Sequence, residues 1–126
     1  MNKKKKGRKL SREKGQRRAL LKIMAGNLIL KEKIRTTRAK AKETAIFTEK
    51  LITLAKKQGL DSLRRVLAVL PERAAFKLVK DLAGRYAHCP GGYTRVLRVE
   101  SRLADGAQMA IVELVKQNAK ESPAHN

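Results

Sequence analysis

The sequence predicts an α+β fold of two layers, a small three-stranded sheet covered on one face by helices, in the order α-β-α-α-α-β-β, with a basic N-terminal extension. Three observations carry this. Apolar residues recur at three- and four-residue spacing in four blocks between residues 12 and 86. Short β-branched runs at 33–37, 93–102 and 109–115 lie after the first block and after the last. The breaks fall on residues that start or stop elements: Thr37, Gly59, Pro71, Cys89-Pro90-Gly91-Gly92 and Asp105-Gly106. Strands and helices in this order can close one core as two layers.

Beyond Met1, residues 1–10 hold one apolar side chain, Leu10, among dense Lys and Arg. They cannot bury enough surface to offset the entropy of ordering, and are expected to stay disordered until bound. One domain then spans 11–117. Ser11 is the expected N-cap of a helix over 12–31, with Glu13 at its positive end. Leu20, Leu21, Met24 and Leu28 form its apolar stripe, and Arg12, Arg17, Arg18 and Lys22 lie around the rest. Gly15 and Gly26 each weaken it by ~1 kcal/mol relative to Ala. Lys33–Thr37 reads as a short strand, and Thr37 caps a second helix over about 38–58. Ala41, Ala45, Phe47, Leu51, Ile52, Leu54 and Ala55 supply its apolar side, and Gly59 its stop. Asp61 or Ser62 opens a third helix through Leu63, Val66, Leu67 and Leu70. Pro71 ends it and takes the first position of a fourth, whose inner side is Ala75, Leu78, Val79, Leu82 and Tyr86. The last two β-rich runs pair most simply as a hairpin. Residues 118–126 lack periodicity and read as a disordered tail.

The net charge of +20 is lopsided. The first forty residues carry sixteen bases and two acids, the other eighty-six fifteen bases and nine acids. Such one-sided charge opposes compaction, so a polyanionic partner is the economical reason to keep it. With four aromatic residues, Phe47, Phe76, Tyr86 and Tyr93, the chain can hardly build a stacking platform for single-stranded bases. Recognition of phosphate backbone and helical shape fits better. No apolar run is long enough to span a membrane, and no apolar stretch follows the basic start as in a secretory signal. The lone Cys89 cannot form an internal disulfide, and Cys89 with His88 lacks further ligands at zinc spacing. No nucleophile, base and orienter can be assembled, so neither an enzyme nor a cofactor is expected. A DNA-compacting protein is the main rival, but nothing marks a dimer seam, and no homo-oligomer is expected.

Three segments are candidates for phosphate contact. The first is the arm with the start of the first helix: Lys3, Lys4, Lys5, Lys6, Arg8, Lys9, Arg12, Lys14, Arg17, Arg18 and Lys22. An extended chain advances about 3.3 Å per residue, so such an arm reaches deep between nucleic-acid helices. Lys acts there as a point charge and Arg as a bidentate fork. The second is Arg35, Thr36, Thr37, Arg38 and Lys40, where strand meets helix start and free N–H groups favour an anion. Thr37 serves equally as a simple cap. The third is Tyr93, Thr94 and Arg95 after Gly91-Gly92. Tyr93 could pack in the core, stack on a base or donate to a phosphate; Arg95 is the better RNA contact.

Taken in order, these segments resemble the bacterial large-subunit ribosomal protein seventeen family. The resemblance rests on Gly7-Arg8-Lys9-Leu10-Ser11-Arg12, Arg17-Arg18-Ala19-Leu20-Leu21 and Met24-Ala25-Gly26-Asn27-Leu28-Ile29. It continues through Ile34-Arg35-Thr36-Thr37, Leu51-Ile52-Thr53-Leu54-Ala55-Lys56, Gly91-Gly92-Tyr93-Thr94-Arg95-Val96 and Met109-Ala110-Ile111-Val112-Glu113-Leu114-Val115. The chain departs from the family pattern at Met1-Asn2, at Gln16 and Ile23, and at Ala104 before Asp105. The resemblance implies a non-enzymatic α+β constituent of the large ribosomal subunit in the cytoplasm. Its partners would be 23S rRNA and neighbouring ribosomal proteins. The arm, the Arg35-Thr36-Thr37 segment with Lys40, and Tyr93-Thr94-Arg95 would face the RNA.

Overall fold

A computed structural model describes residues 13–115. Helix α1 (Lys14–Lys31) leads into strand β1 (Lys33–Thr37) and helix α2 (Arg38–Lys56). Helix α3 (Leu60–Val69) follows. Helix α4 starts as Glu72–Lys77, passes through a π-helical stretch, Leu78–Leu82, and finishes as Ala83–Arg85. Strands β2 (Thr94–Val99) and β3 (Met109–Leu114) close the chain. The predicted α+β class, element order and single small sheet are those observed.

The sheet has the order β1-β3-β2, all antiparallel. The expected hairpin forms with Val96 opposite Val112. β1 pairs with the far side of β3, Lys33 opposite Glu113 and Thr37 opposite Met109. The last strand among the described residues is thereby the centre of the sheet. One face, Ile34, Ala110, Val112, Leu114 and Val96, joins the core beneath α1 and α2. The alternating residues form the opposite face.

α4 packs on α1 and α2 behind the sheet, and α3 on α2 and α4. Leu28, Ile29, Ile52, Val66, Leu78, Leu82, Tyr86, Tyr93 and Val112 are fully buried at the centre. Gly26, a weak helix former by sequence, is buried where α1 meets the start of α4, and a Cβ there would lie in ordinary contact with Pro71 Cδ at 3.4 Å. The chain reverses after α2 at Gln58 (φ 51°) and Gly59 (φ 114°), and the latter angle suits glycine. α3 starts there, one residue earlier than Asp61 implied. Pro71 stands just before α4 and accepts its first bond, from Ala75 N–H at 2.9 Å.

The apolar stripe of α1 departs from expectation in extent. Leu20 and Leu21 are only half-buried, and the core side starts at Met24. Glu13 holds the cap position of the described helix without a side-chain bond, while Ser11 and Arg12 lie outside the described residues. On α2, the polar Thr44 and Thr48 are fully buried among the apolar residues. Thr44 Oγ1 contacts Met24 Sδ at 3.7 Å, and Thr48 Oγ1 has no hydrogen-bond partner among the described residues.

Candidate nucleic-acid interface

The sheet unites the second and third candidate segments. Strand alternation places Lys33, Arg35 and Thr37 on the face turned away from the helices. Register puts Arg95, Leu97 and Val99 on the same face of β2, and Met109, Ile111 and Glu113 between them on β3. Two rows result: Lys33–Glu113–Arg95 and Arg35–Ile111–Leu97. Strands lie about 4.8 Å apart and residues about 3.4 Å along them, so Arg35 and Arg95, one row apart, project roughly 12 Å from each other on the diagonal. Lys33, Arg35 and Arg95 are exposed. Lys33 opens the strand that the sequence predicts over 33–37, and the alternation puts it on one face with Arg35 and Arg95.

Carboxylates already hold the residues at 94 and 95. Arg95 Nε donates to Glu113 Oε2 at 2.9 Å, and Arg95 Nη2 meets the same oxygen. Thr94 donates to Glu49 Oε2 from its N–H (3.1 Å) and its Oγ1 (2.8 Å). Glu49 and Glu113 were invisible as partners in sequence, because only α2 packing and the β2–β3 register bring them there.

Tyr93 occupies the core alternative of its three readings. It is 2% exposed, with its ring centroid 5.2 Å from that of Tyr86. Its hydroxyl accepts from Lys56 Nζ at 2.8 Å and donates to Cys89 C=O at 3.3 Å. Lys56 also bonds Cys89 C=O and lies 4.8 Å from the ring centroid. The ring is thus enclosed between Tyr86 and Lys56. Tyr86 is tied likewise, its hydroxyl donating to Val115 C=O, and burial pushes its pKa up.

Thr36 lies on the helix-covered side of β1, half-buried. Thr37 is the N-cap of α2, its Oγ1 accepting from Lys40 N–H at 3.5 Å. Arg38 extends the β1–β3 ladder, N–H to Gln108 C=O at 2.8 Å, and its guanidinium donates to Gln108 Oε1 at 3.1 Å. Thr37, Arg38, Ala39, Lys42, Ala107 and Gln108 line an open depression of about 470 Å³ at this helix start. Lys40 is half-buried one turn on.

On α1, Lys14 and Arg18 are exposed and Arg17 and Lys22 half-buried. No residue between Glu13 and Ile23 is buried, so this half of the helix carries its charge beyond the core. Lys3, Lys4, Lys5, Lys6, Arg8, Lys9 and Arg12 lie outside the described residues.

Behind the far end of β1, Glu32 takes the left-handed position after α1 (φ 65°). Its carboxylate receives Arg85 Nη1 (2.6 Å) and Nη2 (3.2 Å), and Lys77 Nζ (3.0 Å). The Arg85 hydrogen bonds foremost, with Lys77 assisting against burial, hold Glu32 at about 2. Lys77 also bonds Leu30 C=O at 3.0 Å, satisfying a carbonyl at the helix end. This ties the α1–β1 corner to α4. Among the described residues, no three His, Cys, Asp or Glu gather as a metal site.

These features define a small, basic α+β protein with cationic side chains gathered on one sheet face. The profile of the family described as Ribosomal protein L17 matches residues 20–115. The large ribosomal subunit protein bL17 of Natranaerobius thermophilus is 48% identical over 110 residues, spanning 86% of this chain and 97% of that one. The protein of the same name in Fusobacterium nucleatum is 44% identical over 116 residues, spanning 91% and 100%. That of Erythrobacter litoralis is 46% identical over 112 residues, spanning 88% and 80%. The chain belongs to the ribosomal protein L17 family.

Proposed function

We propose that the protein is a non-enzymatic, structural constituent of the large ribosomal subunit that holds folded 23S rRNA through phosphate contacts, alongside neighbouring ribosomal proteins. The observation that carries the reading is the convergence of Lys33, Arg35 and Arg95 on one uncovered sheet face, in a family whose relatives are named for that subunit. The exposed start of α1 supplies a second cationic surface, continuous in sequence with the arm of residues 1–10. The body, over 11–117, fixes the orientation of both, with 118–126 as a tail. Phosphate contacts set position and register rather than sequence readout. The protein works as a monomer in the cytoplasm, within the ribosome. Among the described residues no helix is long and apolar enough to cross a membrane.

Sedimentation of a cell lysate on a sucrose gradient tests the reading. The protein is expected with the large subunit and with whole ribosomes, and to leave them in high salt. Its recovery at the top of the gradient alone, at low salt, overturns it.

A further inference from the structure

We propose that Glu113 is a specificity-determining residue of the uncovered sheet face, a fixed negative charge that rejects RNA presenting a phosphate at the centre of its cationic row. The inference rests on the reading of this face as an rRNA contact. Of the nine strand residues on that face, Lys33, Arg35 and Arg95 are basic and Glu113 is the one acid. It stands on the middle strand, between Lys33 and Arg95. Its side chain is 16% exposed against 59% for Arg95, so the carboxylate lies deeper than the guanidinium it holds. Both Arg95 bonds, from Nε and Nη2, end on the single oxygen Oε2. The remaining N–H donors of Arg95 are left for a ligand.

A face built only to attract polyanions gains nothing from this acid. With Lys33 and Arg95 alone, the middle of the row would be the strongest phosphate seat, because two cations would share it. Glu113 cancels that seat and leaves Arg95's outer edge and Arg35 as the attractive points, roughly 12 Å apart on the diagonal of the face. RNA whose phosphates match these points is retained, and RNA that needs the centre is repelled. Discrimination by an introduced repulsion is a general route to specificity. The bland role, a cross-strand pair that steadies the sheet, predicts a different outcome.

The test compares full-length wild type, E113Q and E113D in binding to a 23S rRNA transcript and to a 16S rRNA transcript, at several salt concentrations. E113Q keeps an oxygen for Arg95 and loses the charge. It is expected to bind the 16S transcript about three- to fivefold tighter, the scale of one unit-charge repulsion at roughly 5 Å in water, and the 23S transcript with less than about twofold change. E113D is expected to restore the wild-type ratio. E113T, neutral and suited to a strand, serves as a second reading should E113Q fail to fold. An unchanged ratio in the neutral variants overturns the proposal, and so does equal weakening toward both RNAs, the mark of a purely structural pair. A wild type with no preference for 23S rRNA brings down the rRNA reading itself, and the role of Glu113 with it.

Discussion

At the scale of single residues, buried polar groups decide more than their number suggests. Glu32 sits where a helix usually ends in glycine, yet its carboxylate is held by Arg85 and Lys77. Its pKa falls from an ordinary 4.5 to about 2, with the Arg85 hydrogen bonds as the main cause. The folded-state value lies below the unfolded one, so the stabilisation is complete above about pH 4.5 and drains away as the pH drops toward 2. Its size is on the order of 2–3 kcal/mol. Urea unfolding at a series of pH values is expected to show that loss in the wild type. E32Q is expected to be less stable by about 2 kcal/mol at neutral pH and to converge with wild type in acid. Thr48 is the opposite case, a fully buried hydroxyl with no partner among the described residues. Thr48→Val is therefore expected to be neutral or to stabilise by up to about 1 kcal/mol. A denaturation midpoint shifted down by more than that would show the hydroxyl to be satisfied. Neither feature was legible in the sequence. Helical periodicity cannot tell a threonine facing inward among alanines from one facing water, and the partners of Glu32 lie about fifty residues further on.

At the scale of elements, the legible parts are those governed by local chemistry. Thr37 caps α2 as its position before an alanine-rich helix implied, and Pro71 separates α3 from α4. The β2–β3 hairpin follows from two β-rich runs and a turn between them. The place of β1 does not follow, because Lys33 meets Glu113 about eighty residues away and only the packed core chooses that edge. The π-helical stretch in α4 has no signal that propensity alone would reveal. The loop from Tyr86 to Tyr93 depends on Lys56, which bonds Cys89 C=O and the Tyr93 hydroxyl together. Lys56→Met keeps the aliphatic stem and removes both donations. It is expected to cost about 1–3 kcal/mol and to speed amide exchange at 89–94 while α1 stays protected. Unaltered exchange in that loop would mean that tyrosine packing alone holds it.

For the whole molecule, the charge asymmetry and the core are separable. The first buried residue of α1 is Met24, so removal of residues 1–18 takes ten cations and no buried side chain among those described. The truncated body is expected to keep its urea midpoint within about 0.5 kcal/mol of wild type. Its affinity for 23S rRNA is expected to fall by more than about tenfold at physiological salt, with a shallower dependence of log K on log salt. An equal slope in both proteins would place the phosphate contacts elsewhere. The candidate interface was legible as segments and not as a surface. Arg35 and Arg95 stand out locally as basic residues in short β runs, but their sharing of one face is a property of the register. Tyr93, two residues before Arg95 and just outside β2, is buried against Tyr86, which no alternation along the strand would reveal. The overhang of α1 has a further consequence for the life of the chain outside its particle. Arg17, Arg18 and Lys22 lie on a helix with little packed beneath it, open to proteases that cut after basic side chains. Trypsin is expected to nick the free protein at this stretch first, with the body from Met24 onward the slower to be digested, as a time course on a gel would read.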